Sequence, residues 1–271
     1  MYQTTYHRPK TIAEAVSLYS SLEEPAYLSG GHTLLPAMKG RLAAPANLID
    51  LRAIPELSGI EVRPDGVVIG AATPHAVVAA SAEIKAAIPA LAGLAGSIAD
   101  VQVRHVGTIG GSVANNDPAA DYPAAVLGLA GTVHTDRRSI PADEYFTDLY
   151  STALEPGEIV VRIEFPVPES AGYAKFRNPA SRYALAAAFV ARHRDGSIRV
   201  AVTGAGSSGV FRWAEAESAL QARFEPAAVE ALLPDPGGLM SDMHASAEYR
   251  AHLVRAMTKR AVACMGGVDI S

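Results

Sequence analysis

Two glycine pairs, Gly30-Gly31 and Gly110-Gly111, constrain this chain more than any other feature of its sequence. They lie in Leu28-Ser-Gly-Gly-His-Thr-Leu-Leu-Pro36 and in Arg104-His-Val-Gly-Thr-Ile-Gly-Gly-Ser-Val-Ala-Asn-Asn-Asp-Pro-Ala-Ala-Asp121. Glycine lacks a Cβ and reaches positive φ freely, so each pair can bring backbone amides close to an anion. Thr33 and Thr108 place hydroxyl donors beside them. One such pair is common in turns, but two with these neighbours suggest a two-loop cradle for a pyrophosphate.

The surrounding pattern is mixed α/β. Thr11 caps a predicted helix through Ile12, Ala15, Val16, Tyr19 and Leu22, and Glu14 completes a capping box. Ala26-Tyr-Leu28 reads as a strand into the first glycine pair, a helical turn follows from Thr33 to about Arg41, and Asn47 to Leu51 reads as a buried strand. The run from Ile60 to Ala72 has the character of a hairpin turning at Pro64-Asp-Gly66, and Thr73-Pro74 opens a helix with proline first. Further helices are expected from Ile88 to about Ile98 and from Asp121 to Ala130.

A strong strand, Glu158 to Phe165, is closed by Pro166 and Pro168, which we expect to lie in a linker. Beyond it come predicted strands at Tyr173–Phe176, Ala184–His193 and Ser197–Thr203, the last two joined by Arg194-Asp-Gly196. Predicted helices then run from Trp213 to Arg223, Pro226 to Leu233 and Ser246 to about Cys264. Strands followed by helices imply an α+β C-terminal domain.

Several function classes are disfavoured. A formal net charge of −5 and the lack of a basic run interleaved with aromatics argue against nucleic acid as a partner. The N-terminus has no signal-peptide core and no apolar stretch is long enough for a membrane span, so a cytoplasmic protein is expected. The single cysteine, Cys264, rules out an internal disulfide and a cysteine-ligated cluster in this chain. The 8 histidines show no zinc spacing.

Two weaker motifs have competing readings. Gly204-Ala-Gly-Ser-Ser-Gly209 satisfies G-x-G-x-x-G, but the second parallel strand of a βαβ unit is missing, so a tight strand-to-helix turn is favoured. Asp121 either caps the helix that follows it or accepts a hydrogen bond from a ligand hydroxyl.

Taken together, Ser29-Gly-Gly-His-Thr-Leu-Leu-Pro36, Leu48-Ile-Asp-Leu-Arg-Ala-Ile-Pro-Glu-Leu57 and Gly107-Thr-Ile-Gly-Gly-Ser-Val-Ala-Asn-Asn-Asp-Pro-Ala-Ala-Asp121 resemble the FAD-binding medium subunit of the molybdenum hydroxylases, of the carbon monoxide dehydrogenase type. The resemblance continues through Glu158 to Pro166 and Lys175 to Ala184 and covers essentially the whole chain.

It implies an α+β fold: a two-subdomain FAD-binding module of the vanillyl-alcohol-oxidase or p-cresol-methylhydroxylase type over residues 1–168, divided at about 57/58, and a smaller three-stranded-sheet-plus-helices domain over 172–271. The implied FAD pyrophosphate site comprises Gly30, Gly31, His32 and Thr33 with Thr108, Gly110, Gly111 and Ser112, and Ser29, Leu34 and Gly107 are further implied cofactor-binding residues. By the same resemblance Asn115 and Asp121 reach the ribityl or adenosine side, Val160 packs its backbone near the flavin, and Lys175 lies near the ring's polar edge.

The implied role is electron relay within an oxidoreductase complex. A large partner subunit would carry the molybdenum cofactor and a small one the iron-sulfur clusters, arranged as a dimer of heterotrimers. No catalytic acid, base or nucleophile is expected in this chain. A flavin-free structural subunit and a stand-alone flavin oxidoreductase are the alternatives.

Overall fold

The computed structural model describes residues 2–271. The N-terminal unit is β1 (Thr5–His7), α1 (Ile12–Ser21), β2 (Pro25–Leu28), α2 (Leu34–Lys39) and β3 (Asn47–Asp50), with the strands parallel in the order β1-β3-β2. Thr11 caps α1 by accepting from the Glu14 amide at 3.1 Å, while Glu14 reaches back to the amide of Lys10 at 2.7 Å rather than to that of Thr11. The cap is therefore reciprocal but one residue longer than the expected box.

A second unit begins with the hairpin β4 (Ile60–Val62) and β5 (Gly66–Gly70). It continues through the short helices α3 (His75–Ala80), α4 (Ala82–Ala87), α5 (Pro89–Ser97), α6 (Val101–Val106), α7 (Ile109–Asn115) and α8 (Tyr122–Gly128). It closes with β6 (Thr132–Thr135), β7 (Ser139–Pro141), α9 (Ala142–Tyr145), the small hairpin β8 (Phe146–Asp148) and β9 (Ser151–Thr152), and β10 (Val160–Pro166). The order β4-β5-β10-β6-β7 makes β10 the centre of a five-stranded sheet.

Two expectations need correction in this unit, and two helices go beyond those expected. Pro74 occupies the N-cap of α3 rather than its first turn. Helices α4 and α6 lie outside the expected set: each has an N-cap, Ser81 and Asp100, but its six residues are too few to show a period. The second glycine cluster is not a loop, because Gly110 and Gly111 form the first turn of α7. Tertiary packing overrides their low helix propensity: a Cβ on Gly110 would lie 2.4 Å from the Ala71 Cβ, so only glycine lets α7 sit on the end of β5.

The C-terminal unit consists of β11 (Ser170–Arg177), β12 (Ala184–Arg192), β13 (Ile198–Thr203), β14 (Phe211–Arg212), α10 (Ala214–Ala222), α11 (Ala247–Ala263) and β15 (Gly267–Ile270). Its sheet has five strands, β14-β13-β12-β11-β15, rather than three. Two residues of edge strand and a short parallel terminal strand carried too little pattern to be read. The expected helix from Pro226 to Leu233 is only a 3₁₀ turn over Pro226–Val229. Gly204–Gly209 turns into the antiparallel edge strand β14 before α10, so it makes a strand-to-strand turn and no dinucleotide-binding βαβ unit.

This sheet is buried on both faces. Along β12, Ala187, Phe189 and Ala191 join the core that contains α5 and α8, while Ala186, Ala188 and Val190 join the core under α10 and α11. Small side chains allow the close approach: a Cβ on Gly172 would fall 2.1 Å from the Ala261 carbonyl oxygen of α11.

Candidate functional site

A cavity of about 430 Å³ opens where the three units meet. Its first wall follows β2. The chain leaves Leu28, turns at Gly31 with φ of +71°, and enters α2 behind Thr33, whose side chain makes no cap bond. Among the described residues, the amides of Gly30, Gly31, His32, Thr33 and Leu34 find no protein acceptor. A run of unsatisfied N–H groups beside a cavity is an anion site in electrostatic terms.

The second wall is the segment joining α6 to α7. Gly30 packs directly on it, since a Cβ there would lie 2.6 Å from Gly107 Cα and from the Val106 oxygen. The Ser29 and Thr108 hydroxyls meet at 2.8 Å, which ties the two clusters together. The clusters do converge, yet they are not equivalent. The Gly110 amide donates to the Ala71 carbonyl at 2.8 Å and the Gly111 amide to Thr108 Oγ1 at 3.2 Å, so this pair offers no free nest. The glycines at 30 and 110 serve protein-to-protein contact; donation to a ligand from the backbone is concentrated in residues 30–34.

The third wall is the approach to β10, with Glu158, Ile159 and Val160. Burial alone would raise the Glu158 carboxyl, but Arg138, the Glu155 amide and the Thr135 hydroxyl all donate to it and together lower it to about 2. It is a fixed anion that holds this segment in place.

The fourth wall is Asp121 and Lys175. Lys175 is 1% exposed, and its ammonium donates to Asp121 at 2.9 Å; the Tyr173 hydroxyl donates to the same carboxylate. Asp121 stands at the N-cap position of α8 but makes no cap bond, because these two donors take its oxygens. Burial beside the carboxylate drives the Tyr173 phenol well above its usual range, so it stays protonated as a donor. The loop Asn178–Tyr183, tied by Asn178 Oδ1 to the Ala180 amide at 2.9 Å, closes this side.

Every residue singled out from the sequence, Ser29 to Leu34, Gly107, Thr108, Gly110 to Ser112, Asn115, Asp121, Val160 and Lys175, lines this one cavity. Among the described residues the side chains of His32, Thr33, Ser112 and Asn115 have no hydrogen-bond partner and are free to meet a ligand. Sequence reading missed His75, Tyr27, Ile98, Leu154, Glu158 and Tyr183, which also line it. Ile98 and Leu154 come from connecting segments with no periodic signal, whereas Glu158 lies two residues ahead of β10, a strand that was itself legible.

The donor set fits a dinucleotide cofactor. Free amides and hydroxyls match a diphosphate, and walls of Leu51, Leu57, Ile98, Leu154 and Ile159 suit flat ring systems. Among the described residues no cluster of side chains could hold a metal ion, and no helix is long and apolar enough to cross a membrane.

Comparison with known proteins agrees with this donor set. Residues 2–168 match the family described as FAD binding domain in molybdopterin dehydrogenase. The chain is 40% identical to the carbon monoxide dehydrogenase medium chain of Afipia carboxidovorans, over 95% of this chain and 94% of that one. It is 35% identical to the nicotine 6-hydroxylase medium subunit of Paenarthrobacter nicotinovorans, covering 95% of both. Among solved structures, reconstituted CO dehydrogenase from Oligotropha carboxidovorans superposes with a TM-score of 0.88 at 35% identity, over 97% of this chain and 98% of that one.

Proposed function

We infer the role of this chain from the family to which it belongs: it is an FAD-binding medium subunit of the molybdenum hydroxylase family, and hence part of an oxidoreductase. We propose that it passes electrons from iron-sulfur centres on a small partner subunit, through FAD, to an external acceptor. A large partner would bear the molybdenum cofactor; the names of related CO dehydrogenases mark those enzymes as molybdenum-containing. A dimer of such heterotrimers in the cytoplasm completes the reading. Residues 1–168 would form the FAD-binding domain, with subdomains at about 1–57 and 58–168, and residues 172–271 the C-terminal domain.

The observation that carries this reading is the run of free amides at Gly30 to Leu34 on a cavity wall. In the proposed site these amides hold the diphosphate, with the Thr33 and Ser112 hydroxyls and the His32 side chain around them. Thr108 braces the cradle through Ser29 and Gly111. Asn115 and the Asp121 end of α8 face the ribityl or adenosine part, the Val160 backbone packs by the flavin, and Lys175 and Asp121 form a fixed, net-neutral pair at the polar edge. When bound, the flavin would supply the redox chemistry, collecting electrons one at a time and handing them to the acceptor. The protein supplies binding, orientation and electrostatic surroundings.

The test is the visible absorbance of the chain, purified alone and co-expressed with its neighbouring genes, before and after dithionite. Flavin bands that bleach on reduction support the relay. A colourless protein in both preparations, not reconstituted by added FAD, would favour a purely structural subunit.

A further inference from the structure

His75 lines the same cavity, is 5% exposed, and has no part in the site described above. Its place is set by the backbone. The His75 amide donates to the Gly107 carbonyl at 2.9 Å, and Pro74 and Thr108 form an antiparallel bridge, so the imidazole lies beneath Gly107. A Cβ on Gly107 would fall 2.8 Å from His75 Nε2. The missing side chain at 107 therefore leaves Nε2 uncovered, at the point where Gly30 meets Gly107.

The ring's two nitrogens differ. Nδ1 is enclosed and has no partner, while the Tyr122 ring packs against the imidazole with centroids 5.3 Å apart. A proton on Nδ1 would bury an unsatisfied donor; a proton on Nε2 leaves only a lone pair enclosed and directs an N–H toward the cavity. Burial holds the ring neutral, with lesser contributions from the neighbouring His32 and Arg104 side chains, and lowers its pKa to about 4. Arg104 is itself committed to the carbonyls of Ile98 and Ala99, at 2.7 and 3.0 Å.

We propose that His75 is a further binding residue of the cradle: an uncharged Nε2–H donor, placed by Gly107, that contacts the diphosphate of the bound dinucleotide. The inference rests on the FAD-binding reading and adds to it a donor outside both glycine clusters. It also explains why position 107 bears no side chain although its φ of −61° would accept one.

Three ligands separate the possibilities: FAD and ADP carry the diphosphate, and riboflavin does not. In the full chain, alone or in its complex, His75→Leu should weaken FAD and ADP by at least about tenfold while leaving riboflavin binding unchanged. His75→Gln, whose amide nitrogen reaches as far as Nε2, should restore most of the loss; His75→Asn should not. In ¹⁵N-histidine spectra, the resonance absent from His75→Gln should report a neutral ring protonated at Nε2 and should move when ADP is added.

Equal FAD affinity in His75→Leu and wild type, or a His75 resonance protonated at Nδ1 and indifferent to ADP, would overturn the proposal while leaving FAD binding intact. A folded wild-type chain or complex that binds neither FAD nor ADP would overturn the underlying reading, and this proposal with it.

Discussion

Lys175 and Asp121 illustrate how single residues set the character of this site. Both are nearly inaccessible, and each would be an uncompensated buried charge without the other. Lys175→Met and Asp121→Asn should each destabilise the protein by about 3 kcal/mol in urea unfolding, and the double variant by clearly less than their sum. Full additivity would show that the pair does not interact. Gly30 is the complementary case, a residue whose value is the atom it lacks. Gly30→Ala should push the two clusters apart and weaken FAD binding by at least about tenfold. Gly96→Ala, where the new Cβ would sit 3.7 Å from Ala79, should leave binding unchanged and stabilise α5 by up to ~1 kcal/mol. An unaltered affinity in Gly30→Ala would mean that the clusters need not touch. At this scale the site was largely legible, since the clusters name their own residues. His75 was not, because nothing in Thr73-Pro-His75 shows that the chain bridges to Thr108.

At the scale of elements, the legible ones had either a cap or a strict period. Thr11 and Ser246 start α1 and α11 as their sequences suggest. The alternation of β12 is visible only once both its faces are known to be buried, because alanine dominates each. Helix α7 was misread for the opposite reason: glycine reports a close approach to Ala71, and sequence alone cannot tell that from a loop. The segment entering β10 depends on the Glu158 anchor, whose carboxyl titrates near 2 when folded and near 4.5 in its ordinary state. The unfolded chain thus binds this proton first as pH falls. Its stabilisation is complete above about pH 4.5, fades through that window, and is gone below about 2; the shift corresponds to on the order of 3 kcal/mol. Glu158→Gln should lower stability at neutral pH and flatten the acid limb of the stability profile between those values. An acid limb parallel to that of the wild type would remove Glu158 from this role.

At the scale of the whole molecule, the sequence suggests a proline-bounded break near Pro166, but Pro166 is not in a linker: it ends β10, paired with Gly66, and the packing beyond it is not visible in sequence. The core around α5 and α8 includes Tyr173, Phe189 and Ala201 from the C-terminal sheet, and the cavity draws Lys175 and Tyr183 from the same unit. Trp213, the only tryptophan, is buried on the far face of that sheet and reports on the C-terminal unit alone. Its fluorescence and the far-ultraviolet dichroism of the whole chain should therefore report one coincident unfolding transition. Two separated transitions would mean that the units fold independently and that the cavity is assembled by docking. The central claim, that this chain holds FAD by its diphosphate on the Gly30 to Leu34 amides, is tested most directly by equilibrium titration of the chain or its complex with FAD and with riboflavin, followed by flavin fluorescence. The account predicts saturable binding of FAD in equimolar amount and much weaker binding of riboflavin; no FAD binding, or equal affinity for the two, would contradict it.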